Sequence, residues 1–143
     1  MNTKRLILAI VVVFVALFAT SFLIHEVWLK STYMETMSLW RTPEEMQKHF
    51  AFLVLGHVLA AVAFVVIWSK GLSAVSTVGG SCLYGLTMAL FAQSLTIITY
   101  VVQPMPGSLM AKWFAAGIAQ GFVLGLVVFL MGAPKIHAPG PKE

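Results

Sequence analysis

Aspartate is absent from all 143 residues, cysteine occurs once, and only 10% of the chain is charged. There is no phosphate loop, no nucleophile elbow and no HExxH, so hydrolase, kinase and nucleotide-binding readings have nothing to rest on. No catalytic residue is expected. The lone Cys82 has no intrachain partner, which excludes a disulfide framework and a CxxC redox pair. In its apolar run it reads as a small packing side chain. Nine Lys and Arg outnumber five acidic residues for a formal +4, yet they form no basic patch, and nucleic acid is not an expected partner. In so apolar a chain the excess serves orientation and contact with lipid headgroups.

What is present is hydrocarbon. Apolar residues make up 59% of the chain and the mean hydropathy is +0.92, far from soluble averages. The class is integral membrane protein. Lys4 and Arg5 ahead of an apolar run imitate a signal peptide, but Leu6 to Ile24 is 19 uncharged residues with no A-x-A site after it. It reads as a retained transmembrane helix.

Helices are expected at about 6–29, 43–69, 80–102 and 110–131, each long enough to cross a bilayer core and able to satisfy its backbone there only as a helix. The expected fold is an all-α, four-helix transmembrane bundle in one domain, with a flexible proline-rich tail at 133–143. Pro104 and Pro106 mark the turn between the last two helices. Lys4, Arg5, Lys70, Lys135 and Lys142 fall on one side, and Lys30, Arg41, Lys48 and Lys112 on the other. With Lys4 and Arg5 at the start of the first helix, both termini are expected in the cytoplasm of a bacterial inner membrane.

The outer loop between helices one and two is the longest polar segment. Thr42, followed by Pro43, Glu44 and Glu45, spells a capping box, and helix two is expected to start there and continue without a break. Trp28, Tyr33 and Trp40 flank the loop as interfacial anchors. A duplicated hairpin is also suggested. Residues 16–21 (ALFATS) match 89–94 (ALFAQS), and 48–51 (KHFA) partly match 112–115 (KWFA), a parallel repeat with its pseudo-twofold axis along the membrane normal.

Small residues offer packing faces. Gly117, Gly121 and Gly125 form a GxxxGxxxG ladder, with Gly56 and Ala60 on helix two and Gly85 and Ala89 on helix three. They either pack the four helices together or dock a second subunit, and the first use is favoured.

The ionisable candidates gather toward the outer leaflet: His25 and Glu26 at the end of helix one, His49 before the second span, and His57 about 10 Å further along it. An ionisable group inside a span is a functional hypothesis by default, against the alternative of a neutral histidine hydrogen-bonded across helices to Gln93, Gln120, Ser94 or Glu26. His25 and His57 on neighbouring helices can supply two axial ligands to a b-type haem. Copper is a second chemistry, with Met34 and Met37 near the histidines as soft donors. A Glu26–His57 relay in a small oligomeric transporter is a third.

The chain resembles uncharacterised small four-helix inner-membrane proteins of bacteria, grouped as domains of unknown function, in HEVWL ending helix one, LWRTPEEM before helix two, YGL in helix three and QPMPGSLMAKWFAAG leading into helix four. The resemblance implies a fold and a lipid bilayer, with no activity attached. The leading expectation is a non-enzymatic accessory or structural subunit, associating with other membrane subunits or with itself. An outer-leaflet haem or copper site is the alternative, followed by transport.

Overall fold

A computed structural model describes residues 3–71 and 77–132, and among these there is no strand. The tail expected at 133–143 lies outside them, as do Lys135 and Lys142. Helix α1 (Thr3–Phe22) passes into a π-helical turn (Leu23–Trp28), followed by α2 (Lys30–Glu35), a 3-10 turn (Met37–Leu39), α3 (Pro43–Lys48), α4 (Phe50–Lys70), α5 (Val78–Val102) and α6 (Gly107–Gly132). Four stretches are long and apolar enough to cross a membrane: Thr3–Trp28, Phe50–Lys70, Val78–Val102 and Gly107–Gly132. They make an all-α bundle whose outer faces, at Phe91, Ile98 and Val101 for example, are exposed apolar surface suited to lipid.

The second helix differs from expectation. It does not run unbroken from 43 to 69, because α3 ends at Lys48 and α4 starts afresh at Phe50. His49 sits between them at φ −101°, ψ 4°, with its amide turned to the Met46 carbonyl in a tightened last turn and its Nδ1 2.7 Å from the Glu45 carbonyl oxygen. A histidine ring that binds the carbonyl four residues back competes for the acceptor the next helical turn would use. The capping box itself is formed. The Glu45 amide donates to Thr42 Oγ1 at 3.3 Å and the Thr42 amide to Glu45 Oε2 at 3.2 Å. Since α3 has six residues and buries none of them, Thr42→Ala is expected to cost about 1 kcal/mol, felt locally. Hydrogen exchange at Glu45 and Met46 should accelerate while amides in α4 stay protected.

Other ends shift by a few residues for local reasons. Helix α5 begins at Val78 because Thr77 Oγ1 accepts the Gly80 amide at 3.0 Å. Helix α6 begins at Gly107 because the Pro106 carbonyl accepts the amides of Leu109 and Met110.

The hairpins pack differently. Helices α5 and α6 lie against each other along their length, while α1 sits between α4 and α6. Gly117, Gly121 and Gly125 all face α5: a methyl at Gly117 would strike the Gln93 side chain, at Gly121 the Ala89 methyl, and at Gly125 the Ser81 carbonyl. Gly85 fits against Gly121 and Gly125 from the other side. Gly56 has no atom within 4 Å of the place a methyl would take, and Ala60 is exposed. The small residues of α6 and α5 are therefore consumed inside the chain, and those of α4 are not.

Two cores result. One, on the side of the termini, joins Ala9 and Val13 of α1, Ala61, Phe64, Val65 and Trp68 of α4, and Leu124 and Val128 of α6. Tyr84 of α5 closes it by donating its hydroxyl to the Phe64 carbonyl. The second lies under the α1–α4 loop, where Leu29, Met105 and Leu109 are buried beside Tyr33, Trp40 and Trp113. Between the two cores the bundle interior is polar.

Candidate functional site

The π-helical turn decides where the first two candidates point. The Leu29 amide bonds to the Ile24 carbonyl at 2.9 Å, five residues back. A wider turn of this kind re-aims the side chains within it and frequently marks functional sites. Here it carries His25 and Glu26.

His25 ends a relay. Trp113 Nε1, which can only donate, lies 2.7 Å from Tyr33 Oη, and Tyr33 Oη lies 2.6 Å from His25 Nδ1. The phenol oxygen accepts the tryptophan proton and shares a second hydrogen bond with His25 Nδ1, which engages that ring nitrogen. Trp40 packs edge-on against Tyr33, and Lys112 Nζ donates to the buried Thr32 hydroxyl at 3.0 Å, fastening the loop to α6. In the sequence Tyr33 reads only as a membrane anchor, and nothing there gives Trp113 or Thr32 a role. Residues 80 apart in sequence leave no local signal of such contacts.

Burial raises the Tyr33 phenol above its ordinary 10.0, opposed by the Trp113 hydrogen bond and reinforced by the nearby Glu26 carboxylate. A raised value means that the fold holds the neutral phenol. Its contribution to stability is complete below the unfolded value and disappears as pH climbs through the folded one. Melting temperature in detergent is thus expected to fall as pH rises past the ordinary phenol value of about 10, and Tyr33→Phe should lose part of that dependence. Equal slopes in the two proteins would remove Tyr33 from the account.

The four polar candidates do come together. His25, Glu26, His49 and His57 line one groove of about 670 Å³ between α1 and the α3–α4 segment, joined by Arg41, Met46 and Gln47. Its apolar walls are Phe18, Phe22, Phe50 and Leu53. Each histidine has a defined use. His57 Nδ1 lies 2.8 Å from the Leu53 carbonyl oxygen, which fixes its proton there and leaves Nε2 as an acceptor; its ring leans on Phe18, with centroids 5.2 Å apart. His49 Nδ1 donates to the Glu45 carbonyl at 2.7 Å, and Arg41 Nη1 lies against the imidazole, 2.9 Å from Nε2 and 3.2 Å from Nδ1. Glu26 is exposed on the groove and receives no hydrogen bond from any described residue.

For haem or copper the donor set is uneven. His57 offers a free Nε2, whereas His25 has its Nδ1 engaged by Tyr33. Met34 and Met37 are exposed on the loop, and the methionine at the groove is Met46. Among the described residues no three His, Cys, Asp or Glu side chains converge as metal ligands.

His25 also faces a second, smaller cavity of about 190 Å³ enclosed by Gln93 and Thr96 of α5 and Trp113, Gly117 and Gln120 of α6. Gln120 Nε2 donates to Thr20 Oγ1 at 2.7 Å and to Ser21 Oγ at 3.1 Å, and Gln93 Oε1 accepts from Thr96 at 2.8 Å. This polar vestibule shares Gln93, Gly117 and Gln120 with a largely apolar pocket whose lining includes Val13, Phe64 and Leu124, members of the first core. The expected cross-helix partners Gln93 and Gln120 thus bond to Thr96, Thr20 and Ser21, not to His57. No family model, curated protein or solved structure matches this chain.

Proposed function

We propose that the chain is a non-enzymatic protein of a bacterial inner membrane, with both termini cytoplasmic, that binds an amphiphilic molecule from the outer leaflet and serves a larger assembly as an accessory subunit. One observation carries this reading: His25, Glu26, His49, His57 and Arg41 converge on a single groove whose walls are Phe18, Phe22, Phe50 and Leu53. Polar groups at one end and aromatic hydrocarbon along the rest match a molecule with a headgroup and a tail. The volume, about 670 Å³, lies within the range of small-molecule sites. The apolar wall is exposed, Phe50 at 53% and Leu53 at 49%, so a ligand can enter sideways from lipid without crossing water.

The accessory role rests less on the α6 glycines than the sequence suggested, since α5 occupies them.

The test is retention. Purified in mild detergent and washed, the wild-type chain is expected to carry one amphiphile per protomer in native mass spectrometry. Leu53→Trp, which places an indole in the groove from a half-exposed position, is expected to lose it while keeping its helix content. A wild-type chain stripped bare by the same wash would sink the reading.

A further inference from the structure

The groove's two charges are of opposite sign and come from different elements: Arg41 from the loop before α3, Glu26 from the π-helical turn ending α1. We infer that the occupant is a zwitterionic aminophospholipid of the surrounding leaflet, its phosphate on Arg41 and its primary ammonium on Glu26. The inference rests on the groove reading above and adds the headgroup.

Arg41 is prepared for a phosphate. Its Nη1 is held by His49, 2.9 Å from Nε2, and His49 is itself held through Nδ1 by the Glu45 carbonyl at 2.7 Å. That chain of contacts fixes the guanidinium and leaves its other N–H donors for phosphate oxygens, the planar fork such groups favour. Glu26 is the complementary half. It is exposed, it accepts from no described residue, and a carboxylate with its acceptor capacity unused fits a donor-rich ammonium. A purely anionic headgroup would satisfy Arg41 and place a second negative charge beside Glu26. A choline headgroup would bring a positive charge with no N–H to donate. A phosphate joined to a primary ammonium serves both residues, and Phe18, Phe22 and Phe50 then accept an acyl chain.

The probe is an equimolar mixture of phosphatidylethanolamine, phosphatidylglycerol and phosphatidylcholine with matched chains, offered to the delipidated full chain and read by native mass spectrometry. Wild type is expected to retain phosphatidylethanolamine about tenfold over either competitor, equivalent to about 1.4 kcal/mol. Glu26→Gln should bring phosphatidylethanolamine and phosphatidylglycerol to parity, and Arg41→Gln should weaken all three, with Arg41→Lys restoring part of the loss. Melting temperatures of the variants separate binding loss from unfolding, and Glu26→Gln is isosteric at an exposed position. Retention of phosphatidylglycerol equal to or above phosphatidylethanolamine in wild type overturns the headgroup assignment and leaves the groove standing. Retention of all three lipids unchanged in Leu53→Trp overturns the groove as well.

Discussion

Gly121→Ile is expected to lower stability by about 3 kcal/mol, the top of the usual range for forcing extra carbons into a packed site, and to separate α5 from α6. A methyl at Gly121 already strikes the Ala89 methyl and approaches the Gly85 carbonyl oxygen, and Gly85 is itself within 2.9 Å of Gly125 Cα at the place its own methyl would take. Most of these obstacles are backbone, which cannot rotate away as a long side chain can. Helix association in lipid has no water to expel and depends on such close approach, so a spacer there removes the attraction itself. Gly56→Ile provides the contrast. Nothing lies within 4 Å of the new Cβ, and the change should stay within about 0.5 kcal/mol. Melting in detergent reads both, and equal shifts would show that α6 glycines do no more than those of α4.

That contrast also marks where the sequence stops being informative. Spans are legible because a bilayer demands about 20 apolar residues and a closed backbone, conditions set locally. The cap at Thr42 and Glu45 is local too, and it forms as read. Which small-residue ladder meets which helix is decided by three-dimensional fit, and the spacing of small residues alone does not say that 117–125 meets a neighbour while 56 and 60 do not. The site divides the same way. His25, Glu26, His49 and His57 were found by their rarity in apolar surroundings, and they do share one groove. Their tautomers depend on Tyr33, Trp113, Leu53 and Arg41, partners fixed by the π-helical turn and by the break at His49, neither of which has a sequence rule of its own. In the sequence Arg41 reads only as a topogenic charge. Its second role follows from the turn that brings it over His49.

Trp68→Ala is expected to be the other large loss, about 2–4 kcal/mol, and to change what the vestibule can do. The indole is 2% exposed and lies among Phe64, Val65, Val13 and Val128, and its ring edge fills the space beside Gly132. Removing it leaves a cavity that the rigid α5–α6 pair cannot close. The cost falls at or below the usual ~3–5 kcal/mol for an aromatic-to-alanine change, because lipid, not water, is the alternative surrounding. Trp68 stands one helical turn beyond Phe64, which lines the pocket that shares Gln93 and Gln120 with the cavity at His25. In proteoliposomes loaded with a pH-sensitive dye, wild type should hold a proton gradient as empty vesicles do, Trp68→Phe should behave likewise, and Trp68→Ala should leak. A wild-type chain that dissipates the gradient unaided would reinstate transport and make Trp68 a gate. A tight Trp68→Ala would mean that Phe64, Leu124 and Tyr84 seal the bundle without it, and the barrier would then lie one helical turn nearer the bilayer centre.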